Sequence, residues 1–271
     1  MALKRDVMQK INHAIVLSFF LLCTCLAFNS QAEEQLVVSA ASSLKDAFAE
    51  IGRAFEQDHP GKKVSFNFAG SNQLANQIEQ GAPVDVFASA DMACIKRLVN
   101  KNLTSEYAVL AKNKMIMIVS KSSKMKIDAL PDIADKGVRL IVPVKQVPAA
   151  IYARQILTNA DQAGMYGADF SSRVMSNAVS EEPDVRMVVM KVAMGEGDAG
   201  IVYASDVTGD MRNKLRVIAL PGQLNAVAEY GVAIVKNSSH QDTAKAFYNL
   251  LLSPKGESIL VKSGLLPAQT K

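Results

Sequence analysis

The chain has 271 residues, 49% hydrophobic and 21% charged, which is enough apolar content for one large or two modest globular domains. Its formal net charge is only +4, and no cluster of Lys and Arg with interleaved aromatics occurs, so nucleic acid and anionic membrane are excluded as expected partners. Three cysteines, two of them close together near the N-terminus, exclude a disulfide framework.

Lys4, Arg5 and Lys10 precede an apolar run from Ala14 to Phe28, and Ser30-Gln31-Ala32 follows as a small-x-small cleavage site. This pattern predicts a secretory signal peptide over residues 1–32, a mature start near Glu33 and a soluble protein in the periplasm. The run is short for a membrane span, and no later segment approaches that length. Cys23 and Cys25 leave with the leader, outside any lipoprotein context, so Cys94 remains alone and reads as a small buried residue. Lys4, Arg5, Lys10 and Asp6 leave as well. The remaining 27 basic and 25 acidic residues give a nearly neutral +2.

Leu36 to Ala41 reads as a strand that runs into Ser42-Ser43-Leu44, where small residues and a serine open a helix. Helical periodicity continues through Ala47, Phe48, Ile51 and Phe55, with His59 as a solvated end and Pro60-Gly61 as the stop. Val64 to Phe68 repeats the design: a second strand enters Ala69-Gly70-Ser71-Asn72, and Leu74, Gln77 and Ile78 mark the helix behind it. Gly81-Ala82-Pro83 ends that helix, Val84 to Ala88 forms a third strand, and Asp91 caps the next helix.

Further on, Met115–Ser120 and Val138–Val142 are predicted strands, and Pro148 opens a helix through Ile151, Tyr152, Gln155 and Ile156. Val185 to Met194 is a helix, Ala199–Tyr203 and Leu215–Leu220 are strands, and His240–Leu252 and Pro254–Val261 close the chain as helices. This alternation predicts an α/β fold with mainly parallel sheets. The expected organisation is two lobes, residues 33–112 plus 231–271 and residues 113–230, joined near Lys112–Lys114 and Ala228–Gly231, with a ligand cleft between them.

Both serine junctions read as anion cradles, because a helix N-terminus presents unpaired N–H groups and partial positive charge beside a hydroxyl donor. Such a serine alone is an ordinary cap. Two in neighbouring βα units fall together at the carboxyl ends of their strands, where open α/β sheets bind ligands. Gly70 allows close approach beside Ser71. In the second half, Pro148-Ala149-Ala150 leaves the first-turn N–H groups of its helix sterically open, and Glu182-Pro183-Asp184-Val185 starts another. Tyr203 ends its strand where a hydroxyl can face the cleft, or can simply be buried.

No Arg or Lys lies at the centre of these places, and no carboxylate stands beside both serines. Neutral donors alone suit a fully deprotonated tetrahedral dianion, whereas a protonated phosphate also needs an acceptor. Molybdate, tungstate or sulfate therefore fit better than phosphate. Gly195-Glu196-Gly197-Asp198-Ala199-Gly200 has the letters of a dinucleotide fingerprint but follows a helix and precedes a strand, the reverse of the required context. A secreted hydrolase using Ser43 or Ser71 lacks a G-x-S-x-G elbow, and only His59 and His240 remain as bases. Ferric iron would want paired tyrosines, and only Tyr203 is well placed. Glu181, Glu182 and Asp184 are expected to face solvent rather than hold a cation, and Met187, Met190 and Met194 to form a core stripe.

Taken together, Ala41-Ser42-Ser43-Leu44, Phe68-Ala69-Gly70-Ser71, Asp85-Val86-Phe87-Ala88-Ser89-Ala90-Asp91, Val147-Pro148-Ala149, Asp184-Val185-Arg186 and Gly200-Ile201-Val202-Tyr203-Ala204-Ser205-Asp206 resemble the periplasmic molybdate-binding proteins of ABC-type importers, the ModA family of class II solute-binding proteins. The resemblance covers nearly all the mature chain. It implies a monomeric, non-enzymatic receptor whose two lobes close on molybdate or tungstate and deliver it to a membrane permease, with no cofactor and no cation site. Family binding positions fall on Ser43, Ser71 and Tyr203 as hydroxyl donors and on Ala149 and Val185 as backbone N–H donors. A receptor for sulfate or another tetrahedral oxyanion is the alternative within the same class. Pro143-Val144 and Ala150 depart from the family pattern and put the loop geometry around Ala149 in question.

Overall fold

The computed structural model describes residues 33–269, so the leader expected over 1–32, with Cys23 and Cys25, lies outside the described residues. Among the described residues nine strands form one sheet: β1 (Glu34–Ala41), β2 (Lys62–Ala69), β3 (Val86–Ser89), β4 (Thr104–Ser120), β5 (Leu140–Pro143), β6 (Ala178–Glu182), β7 (Ala199–Tyr203), β8 (Leu215–Ala219) and β9 (Val227–Val235). They run in the order β2-β1-β3-β9-β4-β7-β5-β6, and β8 also pairs with β4.

The helices are α1 (Lys45–Asp58), α2 (Ser71–Glu79), α3 (Met92–Asn100), α4 (Pro148–Gln162), α5 (Phe170–Ser176), α6 (Val185–Ala193), α7 (Gly209–Lys214), α8 (Gln241–Leu252) and α9 (Pro254–Lys262). Short 3-10 turns at Ser42–Leu44 and Ala204–Asp206 carry β1 into α1 and follow β7. Among the described residues no helix is long and apolar enough to cross a membrane.

The α/β class follows from two periods in the sequence. Leu36, Val38 and Ala40 alternate inward along β1, while Ala47, Phe48, Ile51 and Phe55 form the helical stripe that α1 buries against the sheet. The Phe55 and Phe48 rings meet Phe247 of α8 edge-on at 5.3 and 6.3 Å, which ties the C-terminal helices to the first half of the sheet. His59 is less solvated than expected: its ring stacks on Phe55 at 4.2 Å and its Nδ1 lies 3.0 Å from the Phe55 carbonyl oxygen, so it seals the end of α1.

Parallel pairing is found for β1–β3, β5–β6 and β5–β7. Every pair made by β4 or β9 is antiparallel. The decisive element is β4, which the sequence shows only from Met115. Its first part, Thr104–Lys114, pairs with β9, and Met115–Ser120 pairs with β7 and β8, so one strand belongs to both halves of the sheet. The polar run Lys112-Asn113-Lys114 that reads as a linker is the point where this strand changes partners.

Two further expectations are corrected. On α6 the valines take the core: Val185, Val188, Val189 and Val192 are buried, while Met190 and Met194 are 36% and 59% exposed. The methionines lie on the other side of the same helix, because the valines hold the i, i+3, i+4, i+7 positions. Glu182 does not face solvent. It is buried at the end of β6, 2.6 Å from Lys191 Nζ, and it accepts the Ser180 hydroxyl at 2.5 Å. The 195–200 segment joins α6 to β7 as expected. Its Asp198 is buried against Arg139, accepting from the backbone N–H at 2.8 Å and pairing with the guanidinium at 3.0 Å. Burial opposes ionisation there, but the Arg139 bonds prevail and hold the carboxyl below its ordinary value.

Candidate functional site

Ser71 is the first residue of α2, entered through an extended Gly70. Its Oγ accepts the Ala90 N–H at 2.9 Å, so its own hydrogen is left to point elsewhere. Ser43 sits in the middle of the 42–44 turn, and its Oγ accepts the Tyr230 hydroxyl at 2.9 Å. Pro148 occupies the first turn of α4, where its missing N–H costs nothing, and Ala149 follows with an N–H that has no partner within the helix. Val185 opens α6, whose capping Asp184 accepts the Met187 N–H at 3.1 Å. Ala150 is an ordinary helical residue bonded to the Val147 carbonyl at 2.9 Å, and Val144 bonds Glu182 at 2.8 Å, so the departures from the family pattern leave the start of α4 regular.

Tyr203 closes β7, and its N–H donates to Asp206 Oδ2 at 3.2 Å. Its ring packs edge-on against Tyr230 at 5.4 Å and Tyr152 at 6.3 Å. Its hydroxyl is buried without a hydrogen-bond partner among the described residues. Burial pushes this phenol well above its ordinary pKa, so it is a neutral donor. A buried, unsatisfied hydroxyl normally costs 1–3 kcal/mol or so, and such groups are uncommon unless a ligand pairs with them.

Three of the helix starts lie together. A Cβ on Gly70 would lie 2.9 Å from the Pro183 carbonyl oxygen and 3.7 Å from Val147 Cγ2, so the beginnings of α2, α6 and α4 meet at this glycine. The 42–44 turn packs against α6 and against the 204–206 turn that follows Tyr203. Ser43, Ser71, Ala149, Val185 and Tyr203 are all at most 5% exposed, so any ligand they share would be held out of water.

The guanidinium of Arg186, the residue after Val185, is already paired. Arg186 Nη2 lies 2.9 Å from Asp46 Oδ2, and its Nε lies 3.9 Å from Asp206 Oδ1. Asp46 on α1 also accepts the Thr208 hydroxyl at 2.8 Å. Burial opposes ionisation of Asp46, but these two bonds hold its carboxyl below the ordinary value. The hydroxyls and N–H groups of Ser43, Ser71, Ala149, Val185 and Tyr203 are themselves neutral.

Asp206 is buried, and desolvation raises its pKa to about 7 despite the opposing influence of Arg186. A carboxyl raised in the folded state stabilises the fold below its unfolded pKa, about 3.9, and that contribution is lost as pH rises through the folded value. The ligand-free melting temperature of the wild type is thus expected to fall relative to Asp206→Asn between about pH 5 and pH 8, as read by calorimetric melts. Parallel curves would show that Asp206 does not titrate in this window.

A groove of about 1000 Å³ is lined by Asp91, Lys112, Ile151, Tyr152 and Glu229 among others, and by none of the five residues. Tyr152 adjoins both the groove and Tyr203. Cys94 is buried on α3, and desolvation pushes its thiol up to about 12, which leaves it unreactive. Two residues tied to Ser43 carry no signal in the sequence: Tyr230, which donates to its Oγ at 2.9 Å, and Asn113, whose Nδ2 donates to Tyr230 Oη at 3.1 Å. Both lie on the crossing strands β4 and β9, where nothing local marks a polar residue as buried.

The family profile described as bacterial extracellular solute-binding protein matches residues 36–266. The chain belongs to that family. The Mycobacterium tuberculosis protein named molybdate-binding protein ModA is 34% identical over 236 residues, covering 87% of this chain and 85% of that protein. The Azotobacter vinelandii periplasmic molybdate-binding protein superposes with a TM-score of 0.74 at 21% identity, over 86% of this chain and 100% of that one. The sulfate-binding protein SubI from Mycobacterium tuberculosis superposes with a TM-score of 0.76 at 17% identity, over 87% of this chain and 88% of that one. Such distant likenesses show the fold: α/β, two-lobed, of the periplasmic solute-binding type. Membership of a solute-binding family accords with the expectation of an extracytoplasmic carrier that performs no chemistry on its ligand.

Proposed function

We propose that this protein captures molybdate, and tungstate as the same class of dianion, in the periplasm after removal of a leader over residues 1–32, and hands it to the permease of an ABC importer. The observation that carries the reading is the unsatisfied, buried Tyr203 hydroxyl, supported by the meeting of three helix starts at Gly70 and by the burial of Ser43 and Ser71, with no charged side chain among them. Ser43, Ser71 and Tyr203 donate hydroxyls; Ala149 and Val185 donate backbone N–H groups. Preorganised dipoles in a dry site can hold a dianion without a counter-charge. The 34% identity to a protein named for molybdate binding supports the choice of anion. Molybdenum enters only as the oxyanion, and no cofactor is invoked.

The lobes in this reading are residues 33–112 plus 231–271 and residues 113–230. The change of partners along β4 after Lys114 supports that division. In this reading the bonds from Arg186 and Thr208 of the second lobe to Asp46 of the first, already made here, hold the lobes closed, and a monomer suffices, since one chain supplies every donor. Sulfate carries the same charge and acceptors, and fold likeness to a sulfate-binding protein at 17% identity does not choose between the anions. Cavity size makes that choice. A hydrolase reading gains nothing here, because among the described residues neither histidine bonds Ser43 or Ser71: His59 lies at the far end of α1, roughly 20 Å from Ser43 along a 14-residue helix, and the His240 ring lies 3.4 Å from Asp85.

Replacing Ser71 by Ala tests the assignment. It removes a donor to the anion and leaves the buried Ala90 N–H without its acceptor, so molybdate affinity is expected to fall roughly ten- to a hundredfold by calorimetry. Unchanged affinity would remove Ser71 from the site.

A further inference from the structure

The hydroxyl of Ser43 is the end of a buried chain of hydrogen bonds that begins on the strand shared by both halves. Asn113 on β4, Tyr230 on β9, Ser205 beside Tyr203, and Ser43 are all at most 5% exposed. Asn113 Oδ1 accepts the Lys114 N–H at 3.0 Å, and this backbone donor fixes which way the amide points. Its Nδ2 therefore donates both hydrogens, one to Ser205 Oγ at 2.7 Å and one to Tyr230 Oη at 3.1 Å. Tyr230, accepting from the amide, donates its own hydrogen to Ser43 Oγ at 2.9 Å. Ser43 keeps its own hydrogen, for which no acceptor is found among the described residues. Burial raises the Tyr230 phenol well above its ordinary pKa, so the link does not ionise.

From this wiring we infer that Asn113 and Tyr230 are positioning residues that lock Ser43 as a donor and so restrict the site to oxyanions that carry no proton. The inference rests on the oxyanion reading given above and says how that site refuses hydrogen phosphate. If Ser43 accepted a ligand proton, its own hydrogen would be stranded in a buried place, a loss the fixed Asn113 amide prevents the chain from relieving. Ser71 is locked in the same sense by the Ala90 N–H, through backbone rather than side chain. The two serines thus reject a donor by different means, and only the Ser43 lock can be removed without touching a ligand contact.

Tyr230→Phe deletes the link and frees the Ser43 hydroxyl to rotate. Asn113→Asp goes further, because a carboxylate accepts from Tyr230, so that Tyr230 Oη accepts from Ser43 and the whole chain reverses. Molybdate and hydrogen phosphate are both dianions in mildly alkaline buffer, so the added charge weakens both alike and cancels in their ratio. The measurement is the Kd of each anion for the mature wild type and both variants by competition calorimetry, with melting temperatures recorded to confirm folding.

In the wild type, hydrogen phosphate is expected to bind at least a hundredfold more weakly than molybdate. The ratio should narrow roughly tenfold in Tyr230→Phe and further in Asn113→Asp, one lost or regained hydrogen bond to a charged group being worth about that factor. Equal weakening of both anions in Tyr230→Phe, with the ratio unchanged, would overturn the inference and leave these residues as packing. A wild type that binds neither anion would instead overturn the oxyanion reading itself.

Discussion

A Tyr203→Phe protein is expected to melt at or above the wild-type temperature without ligand and yet to bind molybdate roughly ten- to a hundredfold more weakly. The two effects have one cause. The Tyr203 hydroxyl is buried without a partner, so removing it relieves a desolvation cost in the free protein. With the anion in place the same hydroxyl makes a charge-assisted bond, worth about 1.5–3 kcal/mol. Packing against Tyr230 and Tyr152 uses the ring, which Phe keeps. Calorimetric melting and titration of the same preparation would read both. A variant that melts lower and binds unchanged would mean that the hydroxyl serves the fold and not the ligand.

Gly70→Ala is expected to weaken molybdate binding tenfold or more, mainly through faster release. The added methyl would stand 2.9 Å from the Pro183 carbonyl oxygen, a backbone atom held between buried Glu182 and the capped start of α6. Nothing there can swing aside, so the start of α2 must move away from the start of α6. Overpacking of this kind costs about 1–3 kcal/mol. It falls where the donors of Ser71 and Val185 must reach one ligand, and displacement of a few tenths of an ångström degrades both bonds. Gly70 takes an extended conformation open to any residue, so conformational strain adds nothing and the effect isolates the close approach. Stopped-flow release rates equal to those of the wild type would show that the two helix starts need not touch.

The helix starts that carry the proposed donors were legible because such starts have local signatures. Ser71 after glycine, Pro148 before two alanines, and Asp184 before Val185 each announce an N-terminus within a few residues, and the structure places each helix start there. Tyr203 was legible as the end of an apolar strand. The crossing strands were not legible, because β4 carries Lys112, Asn113 and Lys114 in mid-strand and β9 carries Glu229 and Tyr230, polar residues that break the hydrophobic period where the chain passes between the halves. That is why Asn113 and Tyr230 escaped notice: their meaning comes from partners 92 and 187 residues away. The methionine stripe of α6 misled for a related reason. Helical spacing marks a face, and only the competing valine stripe decides which face is inside.

The most direct test is calorimetric titration of the mature protein, beginning near Glu33, with molybdate, tungstate, sulfate and phosphate in one buffer free of competing oxyanions. Tight binding of molybdate and tungstate, with sulfate and phosphate silent, is the expected result for a neutral, dry, size-selecting site built on Ser43, Ser71, Ala149, Val185 and Tyr203. Silence from all four anions would contradict it, and tight sulfate binding would keep the site but take molybdate away as its ligand.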